Sequence, residues 1–292
     1  MRRRVSISLC VAALAVLVFS AGCRRKAPEE PPVATPSVTL NHDRVPIGSP
    51  VKLTYKFTVA QNAPDLIKGE DYWVFVHVLD PTGEQLWTED HAPLPPTSAW
   101  KPGQTVEYTR TVFVPNYPYI GEAVMRLGLY NRTTNKRLTL NAPDVSRKEY
   151  VVSKFQLQPQ SENVFLIYKD GWHPTEVAGD NASSEWQWTK KTATISFRNP
   201  KKDLTFYLEW DARTDLFNPP QQVTLTLGGQ QIASIVADNR ERKMMTFPIT
   251  AAQLGASDMA ELVINTDRTF SPGGGDTREL GIRVFHAFVE PK

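Results

Sequence analysis

The sequence predicts an all-β protein built as two tandem antiparallel β-sandwiches, the first Ig-like and the second jelly-roll-like. Three observations lead there. Apolar and polar residues alternate in short runs over most of the chain, which is the period of strands with one buried face. Proline and glycine, 23 and 16 residues in 292, break these runs at close intervals. No stretch carries a sustained helical period, so the apolar faces have only each other to pack against, and sheet on sheet is the architecture that follows.

The chain opens with a segment of another kind. Met1-Arg2-Arg3-Arg4 is a positive start, residues 5–19 are almost unbroken apolar, and Ser20-Ala21-Gly22 stand directly before Cys23. This is the make-up of a signal peptide, residues 1–22. The apolar run falls short of the roughly 20 residues that span a bilayer. Ser20-Ala21-Gly22-Cys23 resembles the lipobox of bacterial lipoproteins, with Ser20 where that family usually has leucine. The resemblance implies cleavage before Cys23, a lipid on its sulfur, and anchoring to a bacterial membrane. With Arg24 following the cysteine, it implies the outer membrane where the cell has one. Two or three acyl chains hold a protein to a membrane where a single one does not.

Residues 23–36 combine charge with proline and have few groups to pack, so they read as a disordered tether. The only cysteines, Cys10 and Cys23, precede the sandwiches, whose stability must therefore come from their cores. The formal net charge of +2 owes much to Arg2, Arg3, Arg4, Arg24, Arg25 and Lys26. Without these the chain is slightly acidic and has no basic field for nucleic acid.

The first sandwich is placed at 37–156. In residues 51–59, Val51, Leu53, Tyr55, Phe57 and Val59 alternate with Lys52, Thr54, Lys56 and Thr58. A hairpin runs through 72–79, turns at Asp80-Pro81-Thr82-Gly83 and returns through 84–87. Strands at 105–114, 123–130 and 150–155 complete it. The runs Trp73-Val74-Phe75-Val76-His77-Val78-Leu79, Pro96-Thr97-Ser98-Ala99-Trp100-Lys101-Pro102-Gly103 and Met125-Arg126-Leu127-Gly128-Leu129-Tyr130 resemble a β-sandwich module at the ends of bacterial membrane glycosyltransferases of the mannosyltransferase type. The resemblance implies an extracytoplasmic accessory module beside glycan-handling machinery. It does not carry over a transferase activity.

Residues 157–162 read as a polar linker and 163–292 as the second sandwich, with strands at 164–168, 192–197, 204–210, 223–227, 231–236, 244–249, 261–266 and 282–289. Gly228-Gly229 separates two of them in hairpin fashion, and 250–254 suits one short helical turn. Gly171-Trp172-His173-Pro174-Thr175-Glu176, Glu185-Trp186-Gln187-Trp188 and Asp276-Thr277-Arg278-Glu279-Leu280-Gly281 resemble β-sandwich domains attached to sugar-transfer and glycan-binding envelope proteins.

Sugars present apolar C–H faces that stack on indole rings and hydroxyls that hydrogen-bond to charged side chains. Trp172, Trp186 and Trp188 with His173, Glu176 and Arg278 are therefore the candidate ligand-binding group, and Trp100 is a candidate in the first sandwich. Trp186 and Trp188, two apart, face the same side of a strand. The alternative is that the tryptophans pack into the core while Arg278 pairs with Glu176 to hold loops together. His77 and His286 sit in strand patterns and read as ordinary strand residues. The five histidines have no metal-ligand spacing, and neither a nucleophile elbow nor a phosphate or dinucleotide fingerprint occurs, so no catalytic residue, metal or cofactor is assigned. The expectation is a non-enzymatic envelope lipoprotein that binds a glycan or positions envelope-polysaccharide machinery. A protein-assembly lipoprotein acting through sandwich edges or patches, with an envelope protein as partner, is the second reading, and a carbohydrate-active enzyme the third.

Overall fold

The structure, a computed structural model, describes residues 30–116, 119–159, 164–179 and 184–292. The signal segment 1–22 and Cys23 lie outside the described residues. The chain is all-β, and Pro32–Lys292 is one compact unit holding two separate hydrophobic cores. Among the described residues no helix is long and apolar enough to cross a membrane.

The first sandwich contains β1 (Ala34–Leu40), β2 (Arg44–Pro46), β3 (Pro50–Val59), α1 (Ala63–Ile67), β4 (Trp73–Leu79), β5 (Gln85–Thr88), β6 (Thr105–Phe113), β7 (Gly121–Tyr130), β8 (Arg137–Leu138), β9 (Asp144–Ser146) and β10 (Glu149–Gln158). One sheet has the order β1-β3-β6. The other runs β2-β10-β7-β4-β5, with β8 beside β7 and β9 beside β10. The alternation in β3 becomes burial as expected: Leu53, Tyr55, Phe57 and Val59 enter the core while Lys52, Lys56 and Thr58 face solvent.

Three local readings change. β1 begins at Ala34, inside the stretch read as tether, because Val33 and Ala34 are buried against this core. Pro36 is tolerated there since β1 is the edge of its sheet. β10 runs on to Gln158 with Leu157 buried, so the residues read as linker begin inside a strand. The pairing of β2 with β10 is parallel in an otherwise antiparallel sandwich. The helix α1 has a proline in its first turn and stops at Lys68, whose left-handed backbone returns its N–H to the Pro64 carbonyl.

The second sandwich contains β11 (Leu166–Tyr168), β12 (Glu176–Val177), β13 (Glu185–Trp188), β14 (Thr192–Arg198), β15 (Leu204–Asp211), β16 (Gln221–Leu227), β17 (Gln230–Ala237), β18 (Lys243–Ile249), α2 (Ala251–Leu254), β19 (Met259–Thr266) and β20 (Arg283–Pro291). Its sheets have the orders β11-β14-β19-β16-β17 and β12-β13-β20-β15-β18. Gly228 and Gly229 both have positive φ, as a tight turn twisted to match its flanking strands requires. The expected helical turn is α2, started by a capping box between Thr250 and Gln253.

The sandwiches meet where the end of β6 lies on the outer face of β15 and β20. Phe113 stacks on His286 at 4.8 Å and meets Tyr207 and Phe288 edge-on. Beside this contact, burial pushes the Glu89 carboxyl up to about 7, with Glu209 of the second sandwich adding to the rise and Arg110 and Arg242 opposing it. Next to Glu89, His91 is pushed down to about 4, chiefly by burial. Its Nδ1 lies 2.8 Å from the Glu89 carbonyl, which it reaches as a donor, leaving Nε2 to accept from the Tyr108 hydroxyl.

A carboxyl whose pKa is raised by folding stays protonated in the native state after the unfolded chain has ionised, so its cost grows as pH rises from about 4.5 to 7. Glu89→Gln should remove that cost. The variant is expected to melt higher than the parent at pH 8, by the equivalent of about 1–3 kcal/mol, with the gain vanishing near pH 4. Thermal melts across that range check it. A loss of stability at pH 8 would mean instead that attraction to Arg110 and Arg242 dominates.

Candidate functional site

The structure sets Trp100 in the first sandwich apart from the six candidate residues of the second, which lie on adjoining segments. Trp100 is 4% exposed, packs on Phe57 and donates its indole N–H to the Pro95 carbonyl at 3.0 Å. It closes the end of the first core and leaves no free ring face, which corrects its reading as a surface platform. Trp188 is 8% exposed and meets Phe270 edge-on, so its ring is packing material too. His173 is buried, with Nε2 2.7 Å from the Glu279 carbonyl. Trp172 donates to the Thr194 carbonyl at 2.9 Å and packs edge-on with Tyr168.

Side-chain hydrogen bonds join Glu176, Trp186 and Arg278, and His173 and Trp188 lie beside them, linked by the His173 N–H to the Trp188 carbonyl at 2.9 Å. The Trp186 indole N–H donates to Glu176, Arg278 donates to the same carboxylate, and Arg278 is also bonded to Asp276 through two nitrogens. These carboxylates hold the Arg278 guanidinium well above the usual range, with Asp276 the larger cause. The Trp186 ring lies 5.0 Å from the Arg283 guanidinium, which is itself bonded to Asp211. The polar groups are thus spent on one another, in the loop-holding arrangement that stood as the alternative. Trp186 keeps a half-buried ring.

A more open arrangement lies on the outer face of the first sandwich. In β4 the alternation sends Val74, Val76 and Val78 into the core, which leaves Trp73, Phe75, His77 and Leu79 on the outer face. Antiparallel pairing sets Trp73 opposite Tyr130, Phe75 opposite Gly128 and His77 opposite Arg126. Gly128 has no side chain, and the Phe75 ring occupies the space: a Cβ there would sit 2.3 Å from the ring and 2.6 Å from the Lys148 carbonyl. The Arg137 guanidinium covers the ring at 4.2 Å, so Phe75 is only 3% exposed.

Around this stack is a depression of about 450 Å³, within the roughly 300–1,000 Å³ of small-ligand sites. Phe75 and Arg137 contribute to its floor, with His77, Tyr130, Asp90, Asn135 and Arg147 also lining it. Asp90 is fixed by accepting from the Val76 N–H at 3.1 Å and from the Tyr130 hydroxyl at 3.3 Å. Burial and the Asp90 carboxylate both push the Tyr130 phenol up. His77 lies 3.3 Å from Glu149, which also pairs with Arg126 at 3.8 Å. The loops that carry Asn135 and Arg147 turn tightly: Asn131 accepts from the N–H groups of Thr133 and Thr134, and Asn135, Arg147 and Lys148 all have left-handed backbones. Chemically this is a shallow cavity with aromatic and guanidinium planes beside fixed hydrogen-bonding groups. Among the described residues no group of three or more histidine, cysteine, aspartate or glutamate side chains is placed to hold a metal ion.

The signal for this site was present in the sequence. The run 73–79 has no polar face, and an antiparallel strand whose outer side carries Trp, Phe and His needs a cover or a ligand. His77, read as an ordinary strand residue, lines the depression. Trp73 lies under the Arg132 guanidinium at 4.2 Å.

No family model matches the chain, and no curated protein sequence does. Among solved structures it is similar to a family 36 carbohydrate-binding module in complex with calcium and xylotriose, at 13% identity and a TM-score of 0.26 over 44% of this chain and 98% of that one. A family 35 carbohydrate-binding module from an environmental isolate is similar at 10% identity and 0.27 over 44% and 97%. An exo-β-1,3-galactanase from Phanerochaete chrysosporium is similar at 11% identity and 0.30 over 87% of this chain and 56% of its own. By their descriptions two of these neighbours are carbohydrate-binding modules and the third is a galactanase. At such TM-scores no residue, ligand or reaction is carried over from them.

The stack makes a specific demand on Gly128. Gly128→Ala should force the Phe75 ring or the Lys148 carbonyl aside and cost about 1–3 kcal/mol, read as a lower denaturant midpoint. An unchanged midpoint would show that the ring does not need the space.

Proposed function

We propose that the protein is an exported, lipid-anchored envelope protein that binds a glycan in the depression over Phe75 and catalyses no reaction. The observation that carries the reading is the combination on one sheet face of flat π surfaces, Tyr130, His77 and the stacked Arg137, with the hydrogen-bonding groups of Asp90 and Asn135. Pyranose C–H faces pack on such planes, and their hydroxyls find donors and acceptors at the rim. The carboxylates at and beside the depression are held in place, Asp90 by the Val76 N–H and the Tyr130 hydroxyl and Glu149 by His77 and Arg126, which suits them to position sugar hydroxyls.

A second reading, protein assembly, has its own observation. Phe165 is 75% exposed, and Ile167 and Val177 stand out on the short edge strands β11 and β12.

Titration calorimetry of the purified protein against cell-wall and exopolysaccharide oligosaccharides separates the readings. Saturable binding is expected, weakened at least tenfold by Tyr130→Ala with little change in melting temperature and unaffected by Trp186→Ala. Binding lost through Trp186 but not Tyr130 would move the site to the second sandwich. No binding to any fraction would favour assembly.

The membrane part of the proposal rests on Ser20-Ala21-Gly22-Cys23 and the apolar run before it. In bacterial cells fed a labelled fatty acid, the label should enter the protein and be lost in Cys23→Ser, with the variant released from membranes. Equal labelling of the variant would remove the lipoprotein reading.

A further inference from the structure

We infer that the ligand of the depression is an acidic saccharide, one carrying a carboxylate or sulfate, and that Arg147 receives its anionic group. The inference rests on the reading of the depression as a saccharide site and names the chemistry of what it takes.

The argument begins with the backbone. Ser146-Arg147-Lys148-Glu149 joins β9 to β10, and both central residues are left-handed, with φ of 53° and 60°. A two-residue turn of this hand is ordinarily made by Asn-Gly or Gly-Gly, because a side chain at positive φ crowds its own backbone. The long cations Arg147 and Lys148 stand there instead. Backbone strain of this kind persists where its surroundings hold it. Here they do: the Lys148 carbonyl seats against Gly128, the Lys148 ammonium donates to the Arg137 carbonyl at 2.9 Å, and the Arg147 carbonyl accepts from the Arg137 guanidinium at 3.0 Å. The turn is thereby tied to Arg137, and Arg147 is placed in the lining of the cavity.

The charges then separate into engaged and free. Arg137 is committed to the Phe75 ring and the Arg147 carbonyl, Arg126 to Glu149, and Arg132 lies over Trp73. The Asp90 carboxylate, the acidic group of the lining, is already accepting from Val76 and Tyr130. Arg147 lines the cavity and is exposed, and no hydrogen bond or ion pair engages its guanidinium among the described residues. A planar fork of donors without a partner among the described residues, in a cavity whose lining holds two guanidinium groups and one carboxylate that is already engaged, matches a carboxylate or sulfate oxygen pair. A neutral sugar would leave it unused.

The test uses tetragalacturonate, its fully methyl-esterified form, which has the same skeleton without the charge, and a sulfated galactan tetrasaccharide. Binding of the free acid or the sulfated sugar at least tenfold tighter than the ester is expected, with the advantage shrinking as salt rises. Whichever anionic probe shows the preference identifies the group. Arg147→Gln should abolish the preference, read as the ratio of affinities for acid and ester, with the melting temperature unchanged, and Arg147→Lys should retain only part of it. Equal affinity for acid, sulfate and ester in the parent protein would overturn the inference and leave the saccharide reading standing. A preference untouched by Arg147→Gln would overturn the assignment to Arg147. Failure of all three probes together with the neutral oligosaccharides would remove the saccharide reading itself.

Discussion

The Phe75 ring packed into the space above Gly128 is the contact on which the outer face of the first sandwich depends. β4 has valines facing the core and Trp73, Phe75 and His77 facing away, so both its faces are apolar or aromatic. A central strand of this kind has to be covered on the second side as well. The missing Cβ at Gly128 lets the ring pack close against β7, Arg137 covers it, and the turn at Arg147 and Lys148 closes beside it. The strand around residue 75 and the stretch 128–148 are therefore brought to one place by a single close packing, and the depression is what lies between them.

The second sandwich handles its charged and aromatic side chains differently. Glu176, Asp276 and Arg278 satisfy one another, and Arg283 is held by Asp211 while lying against Trp186 and Phe285. A network in which every group has its partner stiffens the loops it joins, and a ligand would have to break those bonds before making its own. In the first sandwich the fixed groups are Asp90 and Tyr130, while Arg147 is left open to solvent. The difference between closed and open polar groups, more than the number of tryptophans, separates a structural cluster from a binding one.

Much of the fold was legible because burial in a strand follows a period of two, and β3, β6, β15 and β19 show it directly. The expected two-residue hairpin at Gly228-Gly229 was legible for the same local reason. The start of β1 was missed because Thr35 and Pro36 look like linker until Val33 and Ala34 are seen to be buried. The five residues of α1 are too few to carry a helical period. The site was only half legible. Alternation says that Trp186 and Trp188 share a face, but which face, and whether it is already filled, depends on Phe270, Phe285 and Arg283 from elsewhere in the chain. Likewise nothing near residue 75 announces that its cross-strand partner is a glycine.

The central claim is that a ligand occupies the depression over Phe75. A crystal structure of the protein with a bound saccharide tests it most directly. The account predicts sugar density against Tyr130 and Arg137, with an acidic substituent at Arg147 and the Glu176–Arg278 cluster unchanged. Sugar seated on Trp186 in the second sandwich, with the depression filled only by water, would contradict it.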